Sequence, residues 1–262
     1  MNKKNILGMR VDLSSPDDTL LKIKKWADPD AEHGHYVCLS NVHMCMEAYD
    51  SRHFQSTVNN ADLVLADGKP IYWAQKLLGA HTATQMRGTD LTLKVCNQAA
   101  LDNVSIGLYG STPEQLARLN QSLKKLFPQL NIVCQIAPPF RELTPEEDRK
   151  VVDEINRSGA RILFVGLGCP KQEKWMADHK HKLSCVMLGV GAAFDFITGE
   201  KRTAPQFISN MGLEWLLRFA CEPRRLWKRY LMHNPRYIAF FFKQWCFQKR
   251  FQINAFLKST NS

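Results

Sequence analysis

One stretch of the sequence, residues 161–176, combines residue types that suit anion binding. An apolar run, Ile162–Val165, is followed by a glycine turn that ends at Gly168 and by a helical pattern that Pro170 opens. Because a helix N-terminus presents unpaired N–H groups and the positive end of the helix dipole, this arrangement suits a phosphate or a nucleotide. Lys171 is the nearest cation. The same residues also suit an ordinary strand–turn–helix connection with a solvated lysine, and the stretch alone leaves both interpretations open.

A carboxylate stands at the end of a second apolar run. Asp67 and Gly68 come directly after Leu63–Ala66 and before a helical pattern. A single carboxylate in this position could act as a general base toward a hydroxyl group, and the glycine would leave room for a substrate. The other interpretation is structural, because Asp-Gly is a turn signal and the aspartate could cap the next helix.

Other polar residues occupy similar positions. Ser40 and Asn41 follow the apolar run Tyr36–Leu39, where their side chains could bind a ligand or cap a helix. Arg87 stands beside Gly88 at the start of a helical pattern, where a guanidinium could reach a phosphate or a carboxylate. Each position by itself is equally compatible with capping or with a solvated side chain.

The motifs of common cofactor sites are incomplete. The glycine turns that end at Gly168 and Gly191 both lack the third glycine of a dinucleotide fingerprint, because Lys171 and Phe194 stand there. The chain has no GxxxxGK[ST] loop, and its histidines and cysteines lack the spacing of a metal site. We therefore predict no cofactor and no metal.

The C-terminal part of the chain is basic and aromatic. The formal net charge is +10, and nine Lys and Arg residues stand against two acids between residues 214 and 250. Trp215, Trp227, Tyr230 and Trp245 are interleaved with these charges. Basic helices with aromatic anchors are typical of proteins on anionic membrane surfaces. The same composition could bind RNA or form a solvated face.

Short apolar runs alternate with helical patterns up to about residue 196. This alternation predicts an α/β fold with a mostly parallel sheet, helices on both faces, and ligands beyond the carboxyl ends of the strands. Only helical patterns follow, so we predict a core of residues 1–196 and a C-terminal helical appendage of residues 197–262. The predicted strands are Tyr36–Leu39, Leu63–Ala66, Val104–Tyr109, Ile132–Ile136, Ile162–Val165 and Cys185–Leu188.

The helical patterns have recognisable starts. Thr112-Pro113 and Thr144-Pro145 each give a capping residue followed by proline at the first helical position. In the appendage we expect Asn234-Pro235 to separate two helices. The predicted helices are Val42–Tyr49, Phe54–Asn59, Ile71–Leu78, Leu91–Leu101, Pro113–Phe127, Pro145–Asn156, Gln172–His179, Glu214–Ala220, Pro223–Met232 and Pro235–Phe251.

The cysteines and the apolar segments indicate a cytoplasmic protein. None of the eight cysteines forms a CxxC pair, and Cys38, Cys134 and Cys185 stand inside apolar runs as buried thiols of a reducing compartment would. No stretch approaches the roughly 20 apolar residues of a membrane-spanning helix, and the N-terminus lacks the apolar segment of a signal peptide.

Taken in order, these motifs resemble the signature of one family, the WecG/TagA/CpsF glycosyltransferases. The resemblance extends over roughly residues 5–232, and the motifs are specific as a set although each one alone is not. They are Asp67-Gly68, Arg87-Gly88-x-Asp90, Gly168-x-Pro-Lys-Gln-Glu173, Gly189-Val-Gly-x-x-Phe-Asp195 and Gly212-Leu-Glu-Trp-x-x-Arg218 with Glu222-Pro223.

The resemblance implies an inverting, metal-independent transfer of a sugar from a nucleotide donor, usually UDP-linked, to a polyprenyl-diphosphate-linked sugar. It also implies a Rossmann-like core and a C-terminal appendage that completes the site. The sugar would be N-acetylmannosamine, its uronic acid or a related hexose, and the enzyme would lie on the cytoplasmic face of the bacterial membrane. Asp67 would be the general base. The implied substrate-binding residues are Ser40, Asn41, Gly68, Arg87, Gly168, Lys171, Gln172 and Gly191, and the implied diphosphate-binding residues of the appendage are Arg218, Arg225, Lys228 and Arg229.

The expected partners are the nucleotide-sugar donor, the lipid-linked acceptor and an anionic membrane surface. No nucleic acid is expected, and the sequence leaves a homo-oligomer open. Two other functions compete with this one. A nucleotide-binding oxidoreductase is disfavoured by the incomplete fingerprints, and an RNA-binding module would depend on the basic tail.

Overall fold

The computed structural model describes residues 3–201, 205, 208, 209 and 211–260, without the side chains of residues 225, 228, 229 and 251–260. Six of its strands form one sheet, and they are β3 (Tyr36–Ser40), β4 (Leu63–Ala66), β5 (Ile106–Gly110), β6 (Ile132–Ile136), β7 (Ile162–Gly166) and β8 (Val186–Gly189). All neighbours are parallel, in the order β4–β3–β8–β7–β5–β6. The prediction of a parallel α/β sheet is confirmed, and each predicted strand lies within two residues of an observed one.

Helices alternate with these strands as predicted. Two of them confirm the predicted caps: the Thr112 side chain accepts a hydrogen bond from the Gln115 N–H, and Thr144 forms a capping box with Glu147. The helices of this part are α1 (Pro16–Trp26), α2 (Val42–Asp50), α3 (Arg52–Asn59), α4 (Lys69–Leu77), α5 (Gly88–Leu101), α6 (Pro113–Leu126), α7 (Pro145–Ser158), α8 (Lys171–His179) and α9 (Ala193–Ile197).

The sheet is buried on both faces. Side chains from α1, α5, α6 and α9 form one hydrophobic cluster, and those from α2, α3, α4, α7 and α8 form the other. Strands that are covered on both sides must be apolar on both sides, and every residue of β3 and β5 is buried. This requirement explains why the strands are short continuous apolar runs without an alternating pattern.

An N-terminal hairpin was not predicted. Strands β1 (Lys3–Ile6) and β2 (Met9–Asp12) pair in antiparallel orientation. The turn between them has positive φ at Leu7 (53°) and Gly8 (89°), which is typical of the tightest hairpin turns. Their sequences, Lys-Lys-Asn-Ile and Met-Arg-Val-Asp, mix charged and apolar residues, so neither forms the continuous apolar run that indicated the other strands.

The C-terminal segment is helical, as predicted. It contains α10 (Glu214–Cys221), α11 (Pro223–Trp227), a π-helical turn (Lys228–Met232) and α12 (His233–Thr260). The expected separation at Asn234-Pro235 is wrong, because α12 runs through both residues. Pro235 is the third residue of α12 and lies directly after the π-helical turn. Such a turn departs from the regular i→i−4 hydrogen bonds that a proline disrupts.

Helix α12 packs against the core. Tyr237 and Phe241 are 4% and 8% exposed and belong to the same hydrophobic cluster as α2. The Arg236 guanidinium donates two hydrogen bonds to the Asp50 carboxylate, at 2.9 and 2.6 Å, and the Trp245 indole donates to the Leu77 carbonyl at 3.2 Å. The boundary between residues 196 and 197 stays a prediction, and it divides residues that share one hydrophobic cluster.

The state of the cysteines agrees with the prediction from the sequence. All eight cysteines are free thiols, and Cys38, Cys134 and Cys185 are buried as predicted. Among the described residues, no helix combines the length and the apolar composition needed to cross a bilayer.

The docking of α12 can be tested with two adjacent phenylalanines. Phe241 is 8% exposed and Phe242 is 60% exposed. We expect Phe241→Ala to lower the free energy of unfolding by about 3 kcal/mol, because it removes a buried ring and leaves a cavity. Phe242→Ala is the matched control and should change that free energy by less than about 0.5 kcal/mol. Urea denaturation measures both, and equal losses would contradict the observed orientation of α12.

Candidate active site

A cleft of about 1370 Å³ lies beyond the carboxyl ends of the strands. Five of its lining residues each follow a different strand: Asn41, Asp67, Ser111, Gly168 and Gly191. Pockets for one small molecule usually measure about 300–1,000 Å³, so this cleft can hold more than one substrate. Its location confirms the expectation from parallel α/β sheets.

Asp67 is fixed at the wall of this cleft by backbone contacts. Its N–H donates to the Ser40 carbonyl at 2.9 Å, and its own carbonyl accepts from the Gln85 amide at 2.7 Å. The carboxylate Oδ1 accepts a hydrogen bond from the Gly88 N–H at 2.9 Å. The suggestion that Asp67 caps the next helix is therefore wrong in detail, since it binds the N-terminus of α5 rather than that of α4. No described residue donates a hydrogen bond to Oδ2.

The environment of Asp67 makes it more basic than an ordinary aspartate. Burial is the main cause that raises the pKa of its carboxyl group, and the negative charge of Glu214 raises the pKa further. The Gly88 hydrogen bond and the positive charges of Arg218 and Arg87 act in the opposite direction. The net pKa is above the ordinary value. A carboxylate with a raised pKa accepts a proton more readily, which suits a general base.

Asn41 and Gly68 are packed against each other beside Asp67. The Asn41 side chain accepts a hydrogen bond from the Met44 N–H and so caps α2, and it also lines the cleft. A Cβ atom on Gly68 would lie 3.1 Å from the Asn41 Cβ. The sequence predicts that this glycine leaves room for a substrate, and the structure shows that it also leaves room for Asn41.

Ser40 lies beneath the cleft. Its side chain is completely buried, and its hydroxyl group donates to the Leu65 carbonyl of β4 at 2.8 Å. It does not reach the cleft in this structure, although Asn41 next to it does. This placement favours a supporting role for Ser40, in which it joins the two strands that carry Asn41 and Asp67.

The appendage contributes charged side chains to the same cleft. Glu214 and Arg218 of α10 line it together with Arg87 of the core. A terminal nitrogen of Arg87 lies 3.5 Å from a Glu214 carboxylate oxygen, and the Arg218 guanidinium lies over the Phe196 ring, 5.3 Å from its centre. The structure therefore brings Asp67, Arg87 and Arg218 together. The side chains of Arg225, Lys228 and Arg229 lie outside the described residues.

The glycine turn that ends at Gly168 forms the opposite wall. Gly168 has a φ of +79°, which favours glycine, and its N–H donates to Oε1 of Gln172 at 3.1 Å. Gly168, Lys171, Gln172 and Gly191 all line the cleft. Helix α8 begins at Lys171, one residue before the predicted range Gln172–His179, and Pro170 lies in the capping position rather than at the first helical position.

Glu173 was not predicted from the sequence as a residue of the site. It is completely buried, and its carboxylate accepts a hydrogen bond from the Gln172 side-chain amide at 2.8 Å. This bond fixes which end of the amide is the donor, so the Gln172 Oε1 is directed to the Gly168 N–H. In the sequence, Glu173 stands three residues before Met176 and therefore on the same face of the helix, which is the buried face. That spacing indicates burial, but only the fold shows which groups Glu173 contacts.

Two further groups at the cleft were also missed. Tyr109, Trp175 and His179 form a continuous stack, with ring centres 4.3 and 4.2 Å apart, and all three line the cleft. Asp195 binds both Gln115 and Lys201 at the cleft. Trp175 and His179 are four residues apart in α8, and Asp195 and Lys201 are six residues apart. Tyr109 and Gln115 come from distant elements, so local spacing in the sequence does not indicate either group as a whole.

Comparisons with known proteins agree with this geometry. The model of a protein family described as "Glycosyl transferase WecG/TagA/CpsF family" matches residues 4–251. A relative from Bacillus spizizenii is 26% identical over 211 residues, which are 80% of this chain and 79% of the relative. That relative is named as an N-acetylglucosaminyldiphosphoundecaprenol N-acetyl-beta-D-mannosaminyltransferase.

The raised pKa of Asp67 gives a prediction that needs no substrate. We expect its carboxyl group to titrate above the ordinary value of about 3.9 and the variant Glu214→Gln to lower this pKa, because a neighbouring negative charge is removed. Carbon-13 NMR of the aspartate carboxyl groups during a pH titration measures both values. Glu142→Gln is the matched control, because Glu142 also lines the cleft but is not among the charges that shift Asp67. An unchanged pKa in Glu214→Gln would contradict the coupling between α10 and Asp67.

Proposed function

The chain belongs to the WecG/TagA/CpsF family of glycosyltransferases, and from this premise we propose that it transfers N-acetylmannosamine, or a closely related hexose, from a UDP-linked donor to a sugar on a polyprenyl diphosphate. The name of the Bacillus relative supports both the sugar and the lipid-linked acceptor. The observation that carries the proposal is a carboxylate with a raised pKa in a large cleft that also contains Arg87 and Arg218.

Asp67 acts as the general base in this proposal. Its carboxylate removes the proton from the acceptor hydroxyl group, the hydroxyl oxygen attacks the anomeric carbon of the donor sugar, and the nucleoside diphosphate leaves with the bonding electron pair. One such displacement inverts the anomeric configuration and requires no protein nucleophile. The Gly88 hydrogen bond holds Oδ1, so that Oδ2 is directed to the acceptor. Because the base must be ionised, turnover increases as the pH rises through the pKa of Asp67.

Positively charged side chains and a helix N-terminus stabilise the leaving group. Negative charge develops on the diphosphate as the glycosidic bond breaks, and preorganised cations and N–H groups lower the energy of that state. Arg87 of the core and Arg218 of the appendage each place a positive charge at the cleft. Lys171, in the first turn of α8, places a third one there. With these groups the reaction requires no metal ion at the diphosphate. Arg225, Lys228 and Arg229 are proposed to assist from the appendage.

The outer surface of the appendage suits a membrane-bound acceptor. Several apolar side chains there are exposed, and Lys243, Lys249 and Arg250 are exposed beside them. Apolar groups that enter the headgroup region, combined with Lys and Arg, bind anionic bilayers. We infer that this surface rests on the cytoplasmic face of the membrane. The exposed apolar residues are Trp227, Leu231, Ile238, Phe242 and Phe247.

The general base can be tested by Asp67→Asn. The substituted amide can still accept the Gly88 hydrogen bond but cannot take a proton, so we expect the turnover number to fall by at least about 10³-fold. The folded state should persist. A carboxyl group with a raised pKa loses its favourable contribution to stability as the pH rises, so its removal should not lower the melting temperature at neutral pH.

The assay for this variant measures sugar transfer to a synthetic polyprenyl-diphosphate N-acetylglucosamine, with UDP-N-acetylmannosamine as donor. Asp153→Asn, on the exposed side of α7, controls for the loss of one surface carboxylate. If Asp67→Asn keeps full activity, Asp67 is not the base. If the wild-type protein transfers no sugar from any nucleotide donor to this acceptor, the proposed substrates are wrong.

The membrane surface can be tested by the double variant Ile238→Asp, Phe242→Asp. We expect its binding to vesicles that contain anionic lipid to weaken by more than about tenfold, because two exposed apolar side chains no longer enter the bilayer. Leu21→Asp is the matched control, since Leu21 is equally exposed (65%) on α1 of the core. Co-sedimentation measures the binding. Equal vesicle affinity in all proteins, or equally strong and salt-sensitive binding of RNA, would contradict the membrane assignment.

A further inference from the structure

Two histidines and a glutamate meet where α12 packs against α2. His43 and Glu47 are four residues apart in α2 and therefore lie on the same helix face, and His233 is the first residue of α12. The Glu47 carboxylate oxygen lies 3.8 Å from Nδ1 of His43 and 3.8 Å from Nε2 of His233. One ligand atom from each of the three residues lies within 4.8 Å of the others.

We propose that these three side chains bind a zinc ion that fastens α12 to α2. Two imidazoles with one carboxylate are a donor set that suits zinc, whereas magnesium and calcium prefer oxygen ligands alone. Zinc binds such ligands at about 2.0–2.2 Å in a tetrahedral arrangement, which separates the ligand atoms by about 3.4 Å. The two separations of 3.8 Å to Glu47 need to close by about 0.4 Å, and the separation between the two histidine nitrogens, which is within 4.8 Å, by at most about 1.4 Å.

The geometry is less suited to direct hydrogen bonds among the three residues. The separation of 3.8 Å exceeds the 2.7–3.2 Å of an N–H···O hydrogen bond. The two imidazole rings are 5.2 Å apart and inclined at 67°, so both can direct a nitrogen to a common point. The side chains of His43 and His233 are only 16% and 14% exposed, which restricts their rotation and reduces the entropy that metal binding would cost.

The zinc site would make the attachment of the appendage depend on metal. Arg236 and Asp50 form an ion pair at the same helix interface, so zinc would add a second attachment near the start of α12. His43 and Asn234, which is adjacent to His233, line the cleft, and the ion would therefore hold its rim. The inference does not rest on the proposed function, because none of the three side chains takes part in sugar transfer there. It departs from the sequence-based prediction of no metal.

The test uses the untagged, full-length protein after treatment with a chelator and its removal. Zinc chloride is added, and bound zinc is counted by mass spectrometry after gel filtration. We expect one zinc ion per chain and a rise in melting temperature of about 5 °C or more when the free zinc concentration exceeds the dissociation constant about 100-fold. Magnesium chloride at the same concentration should not raise the melting temperature.

Variants distinguish this site from adventitious binding. Glu47→Gln and His233→Ala should each lose the bound ion and the rise in melting temperature. His181→Ala removes an exposed histidine outside the cluster and should keep both. Glu47→Gln keeps the shape of the side chain, so it tests the site even if His233→Ala fails to fold. No bound zinc in the wild-type protein, or equal zinc binding in the wild type and Glu47→Gln, would overturn the proposal.

Discussion

The hydrogen bond from the Gly88 N–H to the Asp67 carboxylate is the contact on which the candidate site depends. It joins the end of β4 to the N-terminus of α5 at 2.9 Å, so one interaction both starts a helix and orients the proposed base. Arg87, the residue before this N–H, is thereby held at the cleft, where it faces Glu214 of the appendage. A capping interaction and a catalytic one are usually alternatives for an aspartate, and here the same carboxylate can serve both because it has two oxygens.

The opposite wall depends on a similar pairing of backbone and side chain. Gln172 accepts a hydrogen bond from the Gly168 N–H, and the buried Glu173 holds the other end of its amide. A buried carboxyl group is costly unless it is hydrogen-bonded, and the Gln172 amide donates such a bond to Glu173. The appendage acts on the cleft between the two walls through its charges. Glu214 raises the pKa of Asp67, and Arg218 lowers it.

Much of the fold follows from local patterns. The six strands of the sheet and the helices between them were predicted because a parallel strand buried on both faces must be an apolar run, and because Thr112 and Thr144 supply recognisable caps. The hairpin at Lys3–Asp12 was missed because its two strands mix charged and apolar residues and so lack a continuous apolar run. The expected break at Pro235 was wrong because the cost of proline depends on its position within a helix turn, which the sequence does not give.

The sequence by itself determined which residues end the strands, and therefore placed Asp67, Asn41, Gly168 and Gly191 at one edge of the sheet. It determined this because parallel strands must direct their carboxyl ends the same way. Only the tertiary structure decided that Ser40 lies beneath the cleft, that Glu173 is buried behind Gln172, and that Glu214 and Arg218 act on Asp67. The contacts of Ser40, Glu214 and Arg218 join elements that are distant along the chain, and the burial of Glu173 depends on how α8 packs against the sheet. None of these features has a counterpart in local spacing, because each depends on tertiary packing.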